Sequence, residues 1–295
     1  MNIPKITIKE LLEAGVHLGH KTMRWNPKMG KYIFGAKNSI HIIDLVQTLE
    51  LTTLALQEIY KCISGGGKIL FVSTKKQAAE TISKVAVDTN QFHVTHRWLG
   101  GMLTNWNTIS NSIKRYKKLT TELQKENTGF TKKEILKLGI QRDKLERSLG
   151  GIAEMKKIPD MIFINDTNIE ALAVAEAIKL KIPIVAIVDT NSDPTGISFP
   201  IPGNDDARRA INLYCDLIKQ TILDAQSNVT VKVSDETKSN DSEVSINKEK
   251  KVNIHATEKG KKIVTEIKKP VTNPKDPKKK SFLSKIKELT SKKKN

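Results

Sequence analysis

Two hydrophobic patterns alternate along the first 225 residues. Three short runs, Lys68-Ile69-Leu70-Phe71-Val72-Ser73, Met161-Ile162-Phe163-Ile164-Asn165 and Ile184-Val185-Ala186-Ile187-Val188, are apolar almost throughout and read as strands buried on both faces. Helical spacing follows them. Thr74 and Gln77 offer a capping box before Ala78, Ile82 and Val85, and Thr167 and Glu170 offer another before Leu172, Ala175 and Ile178. A helix from about Asp205 to Ala225, with Ala207, Ile211, Tyr214 and Ile218 inward, closes this part. Fully apolar strands separated by helices predict an α/β fold, a doubly wound parallel sheet with helices on both faces.

A second pattern interrupts the first. Arg97-Trp98-Leu99-Gly100-Gly101-Met102 is echoed by Arg147-Ser148-Leu149-Gly150-Gly151-Ile152. Between the two, Ile109, Ile113, Tyr116 and Leu123 form one apolar stripe, and Ile135, Leu138, Leu145 and Leu149 form another. Glu126-Asn127-Thr128-Gly129 reads as the turn, and Thr131 with Glu134 as a capping box. The paired glycines allow sharp turns or close backbone approach, so residues 102–150 read as an inserted coiled-coil hairpin leaving a globular domain of 1–101 and 151–225. Its lysines, Lys114 and Lys118 among them, are either an ordinary solvated face or the contacts of a probe for a polyanion.

Beyond Gln226 the pattern stops. Ser, Asn, Thr, Lys and Glu dominate 226–295, and such a composition predicts a disordered basic tail. Within it, Phe282, Leu283, Ile286 and Leu289 have the spacing of a short amphipathic helix, although one such face is a weak membrane anchor.

Charge sharpens the picture. The 295 residues carry 50 Lys and Arg against 32 acids, a net +18, and the tail alone holds 19 lysines against nine acids. This balance favours a polyanionic partner, nucleic acid or an anionic membrane surface. No run of some 18 apolar residues occurs, nor an apolar signal core, so the expected location is the cytoplasm without stable membrane association. Cys62 and Cys215 have no motif around them and are expected to be reduced.

Enzyme signatures are thin. Gly65-Gly66-Gly67-Lys68 imitates a phosphate loop but precedes its strand, which suits a helix terminator. Asp166 and Asp189 follow two strands, where they serve turns or jointly bind magnesium. His17 and His20 invite a zinc reading, but Gly15 and Gly19 disfavour a helix there and no third ligand is near. The expectation is no catalytic residue, no metal and no cofactor, with a nucleotide-binding α/β enzyme as the alternative.

The clearest binding signal is a mixture of cations and rings. Lys21, Arg24, Lys28 and Lys31 interleave with Trp25 and Tyr32, and Arg97 stands beside Trp98 at the root of the hairpin. Such sets meet phosphates by charge and bases by stacking. The candidate RNA-binding residues are therefore Arg24, Trp25, Lys28, Lys31, Arg97, Trp98, Lys114 and Lys118; the competing reading makes both tryptophans core residues.

Several phrases together resemble the bacterial family of the second small-subunit ribosomal protein. They are Leu12-Glu13-Ala14-Gly15-Val16-His17-Leu18-Gly19-His20, Arg24-Trp25-Asn26-Pro27-Lys28-Met29, Arg97-Trp98-Leu99-Gly100-Gly101-Met102-Leu103-Thr104-Asn105, Ser148-Leu149-Gly150-Gly151-Ile152, Pro159-Asp160, and the run from Ile182 to Pro194. The resemblance spans about residues 5 to 225. It implies a flavodoxin-like or Rossmann-like domain with a protruding coiled-coil hairpin, a role in translation without catalysis, and attachment to small-subunit rRNA. It further implies neighbouring ribosomal proteins as partners and a part in holding ribosomal protein number one on the subunit. The tail beyond 226 lies outside the shared pattern.

Overall fold

The structure, a computed structural model, describes residues 4–125 and 131–228. The hairpin turn at Glu126–Gly129 and the tail with its Ser281–Leu289 helix, both read from the sequence, lie outside the described residues.

A five-stranded parallel sheet forms the centre: β4 (Ile69–Val72), β5 (Phe92–Val94), β6 (Met161–Ile164), β7 (Ile184–Val188) and β8 (Phe199–Pro202), in the order β5-β4-β6-β7-β8. Successive side chains of a strand point to opposite faces, and here they feed two cores. Ile69, Phe71, Phe163, Val185 and Ile187 pack with α2 (Leu45–Ser64), α3 (Lys76–Asp88) and the final helix, residues 208–228. Leu70, Val72, Ile162, Ile164, Ala186 and Val188 pack against α6 (Ala171–Leu180) and the base of the inserted helices. The doubly wound sheet is therefore present, and two-sided burial is why its strands show no alternation.

β8 contains Pro200 and Pro202 yet pairs with β7 along its length. The Gly203 N–H donates to the Val188 carbonyl. Alternation puts Ile201 on that side too, so the prolines turn their missing donors outward, which an edge strand tolerates.

Before the sheet come α1 (Ile8–Glu13) and a small antiparallel sheet of β1 (Leu18–Lys21), β2 (Ile33–Lys37) and β3 (Ile40–Ile43), in the order β1-β3-β2. Two 3-10 turns, Thr22–Arg24 and Pro27–Tyr32, join β1 to β2. Residues 21–34 are thus partly regular rather than an open loop.

The inserted segment runs between β5 and β6. Helices α4 (Trp106–Leu123) and α5 (Lys132–Leu149), each 18 residues or about 27 Å long at ~1.5 Å per residue, pack against each other. Ile109, Ile113 and Leu119 are buried and Tyr116 is half-buried. The second stripe is corrected: Ile135 is exposed and Leu138 half-buried, while Leu145 and Leu149 at the base pack inward, because away from the base each helix has only the other to pack on. At that base Gly101 takes a φ of +81°. A Cβ on Gly151 would stand 2.1 Å from the His93 carbonyl of β5, so only glycine permits this approach to the sheet edge.

Helix starts show where tertiary contacts override local signals. Thr131 and Glu134 do interact, the Glu134 carboxylate accepting from the Thr131 N–H at 2.9 Å. The box expected at Thr74 and Gln77 is absent: α3 begins at Lys76, and the Thr74 N–H donates instead to Glu170 at 2.5 Å. That diversion also removes Glu170 from the cap expected with Thr167. Asp166 accepts from the Asn168 and Ile169 N–H groups, and α6 starts only at Ala171. The final helix begins at 208, with Asn204 accepting from the Asp206 and Ala207 amides. Gly65 caps α2, in keeping with a terminator rather than a phosphate loop.

Candidate nucleic-acid interface

In a sheet of this strand order a ligand sits beyond the carboxyl ends of the strands where the order reverses, here between β4 and β6. The protein fills that place itself. Lys75, just after β4, directs its ammonium to Asp166 (3.1 Å), Asp205 (2.9 Å) and Asp206 (2.6 Å). The Thr74 amide, at the helix start where a phosphate would bind, is held by the Glu170 carboxylate. The chain's own carboxylates occupy the donors a nucleotide would use. Burial opposes the charge on Lys75, but its hydrogen bonds to Asp206 and Asp205 outweigh that cost and raise its pKa.

Asp166 and Asp189 do not serve one ion. Asp166 engages Lys75, whereas Asp189 accepts from Thr190 and from His20 Nδ1 at 2.9 Å. His20 also faces Asp206 at 3.4 Å, and His17 lies apart from these contacts with its Nδ1 buried and unpartnered. Among the described residues no set of three His, Cys, Asp or Glu is arranged to hold a metal ion.

This cluster predicts a pH dependence. The hydrogen bond to Asp189 raises the His20 pKa against burial, aided by the charges of Asp189, Asp205 and Asp206. A raised value means the folded state binds the proton more tightly, so the contribution is full below about pH 6.5 and fades as pH climbs through the folded pKa. Asp205, pushed up to about 7 by burial and by Asp166 and Asp189, loses its contribution between about pH 4 and 7. The melting temperature should fall by a few degrees between pH 6 and 8, and His20→Gln should flatten that fall. A rise in stability over the interval would contradict the assignment.

The segment 21–37 lies beside this edge, tied to it by the Asn26 N–H on the Thr190 carbonyl (2.8 Å). Arg24 is exposed and borders an open cavity with Lys21, His20, Asp189 and Asp206. Trp25 is 42% exposed and packs on His41, ring centroids 5.4 Å apart. Lys28 already has partners: Asp193 at 2.7 Å, whose pKa it lowers to about 2, and Thr195 at 3.0 Å. Lys31 places its ammonium 4.6 Å from the centroid of the Tyr32 ring.

The root of the inserted helices gathers the second set. His96, Arg97, Lys144 and Arg147 border one open groove with Leu99, Ile140 and Ser148; its carboxylate, Asp143, is engaged by Arg142 at 2.5 Å. Trp98 does not share this exposure. It is 7% exposed and donates from Nε1 to Glu176 at 3.0 Å, so it packs in the core. Lys114 and Lys118 are exposed along α4, Lys118 facing Glu122 at 3.7 Å.

The residue that organises this root was not apparent in the sequence. Glu176, on α6, accepts from the indole of Trp98, the amides of Gly101 (2.8 Å), Leu103 (2.9 Å) and Thr104 (3.1 Å), and the Thr104 hydroxyl (3.2 Å). Although burial opposes ionisation, these donors lower its pKa. Nothing in its own neighbourhood of the sequence pairs it with a loop some 75 residues earlier. Lys144 lay unremarked on an α5 surface, whereas Arg147 was at least visible in the repeated phrase.

Comparison with known proteins agrees with the architecture. The family model described as Ribosomal protein S2 matches residues 11–225. The chain is 54% identical over 227 residues to the small ribosomal subunit protein uS2 of Granulibacter bethesdensis, covering 77% of this chain and 88% of that one. It is 57% identical over 224 residues to the protein of that name from Phenylobacterium zucineum, covering 76% of each. With a family model matching residues 11–225 and relatives more than half identical over most of both chains, the chain belongs to the ribosomal protein S2 family.

Proposed function

We propose that the chain is a structural component of the small ribosomal subunit, held on its rRNA by basic surfaces flanking the sheet, and that it helps seat ribosomal protein number one there. The observation that carries the RNA contact is the groove at the helix root, where His96, Arg97, Lys144 and Arg147 meet and the carboxylate present is already paired. Arg24, Trp25, Lys28 and Lys31 supply a second contact surface, and Lys114 and Lys118 extend the charge along α4. Trp98 stays in the core and ties the helix root to Glu176. Membership of a family of structural proteins makes the chain a non-enzyme, and the self-occupied crevice at Lys75 accords with that. Ribosome association places it in the cytoplasm; none of the described helices is long and apolar enough to cross a membrane.

Phosphate contacts position a protein through charge and release counterions, so affinity should fall steeply with salt. Binding of the full chain to small-subunit rRNA, titrated over a range of salt, should lose about one unit of log–log slope with Arg97→Ala and again with Arg147→Ala. Lys28→Ala should change it less, because Lys28 must first leave Asp193. On salt gradients of whole subunits, ribosomal protein number one should dissociate with the chain. Salt-independent binding, or slopes untouched by both arginine variants, would refute the groove.

A further inference from the structure

We propose that the exposed rings of the small antiparallel sheet and its 3-10 turn receive unpaired bases of RNA, an inference that rests on the rRNA attachment proposed above and adds a second mode of contact to it. Phe34 is 80% exposed, a large ring left in solvent on a strand. Phe34 lies in β2 at the register irregularity between Ile33 and Gly35, and two residues on Ala36 lies opposite His41, against which Trp25 packs. Phe34 and Trp25 are thus two exposed rings carried by the same short segment, 21–37. Both ring nitrogens of His41 are buried without a hydrogen-bond partner, and the ring backs Trp25. Met23, 94% exposed, stands two residues before Trp25 on the 3-10 turn, whose Thr22 N–H is bound to the Ser39 carbonyl beyond β2.

Charge decides the occupant. Residues 21–37 include Lys21, Arg24, Lys28, Lys31 and Lys37 and no carboxylate. Lysine is depleted in protein–protein interfaces, whereas rings set among cations are how single strands are held: the phosphates follow the charge and the bases stack. A duplex hides its base faces within the stack, so exposed rings distinguish an unpaired segment from a helix, with little dependence on sequence.

The test uses the full chain, a labelled oligouridylate of about twelve nucleotides, within the span single-strand sites cover, and an RNA duplex of equal length, read by fluorescence anisotropy. Phe34→Ala should weaken oligouridylate binding about five- to 150-fold, the range expected from one lost stacking partner, and leave duplex binding unchanged. Phe34→Tyr, which keeps a ring, should retain most of the affinity. Circular dichroism checks that each variant is folded. An unchanged oligouridylate affinity, or an equal loss on both RNAs, would overturn the stacking face while leaving the rRNA attachment standing. Failure of the parent chain to bind either RNA would sink both. If the Phe34→Ala variant bound both RNAs normally but shed a neighbouring protein from reconstituted subunits, the face would belong to a protein and the inference would fall.

Discussion

Replacing Glu176 with glutamine should cost about 2–4 kcal/mol of folding stability, because a half-buried carboxylate with several donors is worth more than one ordinary hydrogen bond of about 1 kcal/mol. The carboxylate gathers three backbone amides, an indole and a hydroxyl from residues 98–104. An amide at that position keeps one acceptor oxygen and turns an NH2 group toward N–H groups that can only donate, the Thr104 hydroxyl alone being able to accept. The consequence is local before it is global. Residues 98–104 form the root from which α4 departs, and Met102 and Leu103 are buried there with Leu149 and Ile152 from the return. Hydrogen exchange should show the Gly101, Leu103 and Thr104 amides losing protection ahead of β4 and β6, together with a lower urea midpoint. Since Arg97 borders the groove beside this root, rRNA affinity should drop without removal of any phosphate contact. Unchanged protection at the three amides would show that the root is held by apolar packing alone.

The second large effect is expected at Lys75. Its ammonium, with 11% of the side chain exposed, faces Asp166, Asp205 and Asp206, and Asp205 is fully buried. Lys75→Met should destabilise the fold by about 3–5 kcal/mol, since removing one partner of a buried pair leaves uncompensated charge behind. Adding Asp205→Asn to that variant should recover part of the loss, and the double-mutant cycle should give a coupling of about 1–3 kcal/mol. The single variant should also suffer less at pH 5 than at pH 8: Asp205 already sits near 7 in the parent, and without the ammonium it becomes easier still to protonate. Additive losses with no pH dependence would mean that the lysine acts through packing. Saturable nucleotide binding by the parent chain would mean that its carboxylates do not close the crevice as inferred.

Where sequence reading failed, the failures share a cause. The three strands of the small sheet escaped because each is four or five residues long and one-sided, and β1 and β2 both carry a register irregularity against β3; short, bulged strands leave no periodicity to find. β8 was hidden by prolines that an edge position excuses. Two capping boxes matched the local code at Thr74 and Thr167, yet Glu170 was drawn away to the Thr74 amide. Trp98 and Trp25 looked alike beside their cations, but only one is wrapped by α6 and the helix root.

The sequence by itself determined the layered α/β architecture, the inserted helix pair with its glycine-marked ends, the excess of positive charge and the family. Each of these is written in local spacing or summed composition, and apolar periodicity commits a segment to strand or helix before any distant contact forms. Tertiary structure alone decided which charges are held by internal partners. Lys28 is tied to Asp193, Lys75 to three aspartates and His20 to Asp189, while Arg97, Lys144 and Arg147 face an open groove. The availability of a charge depends on partners about 90 or more residues away, and burial strengthens those pairings by removing the water that would compete with them.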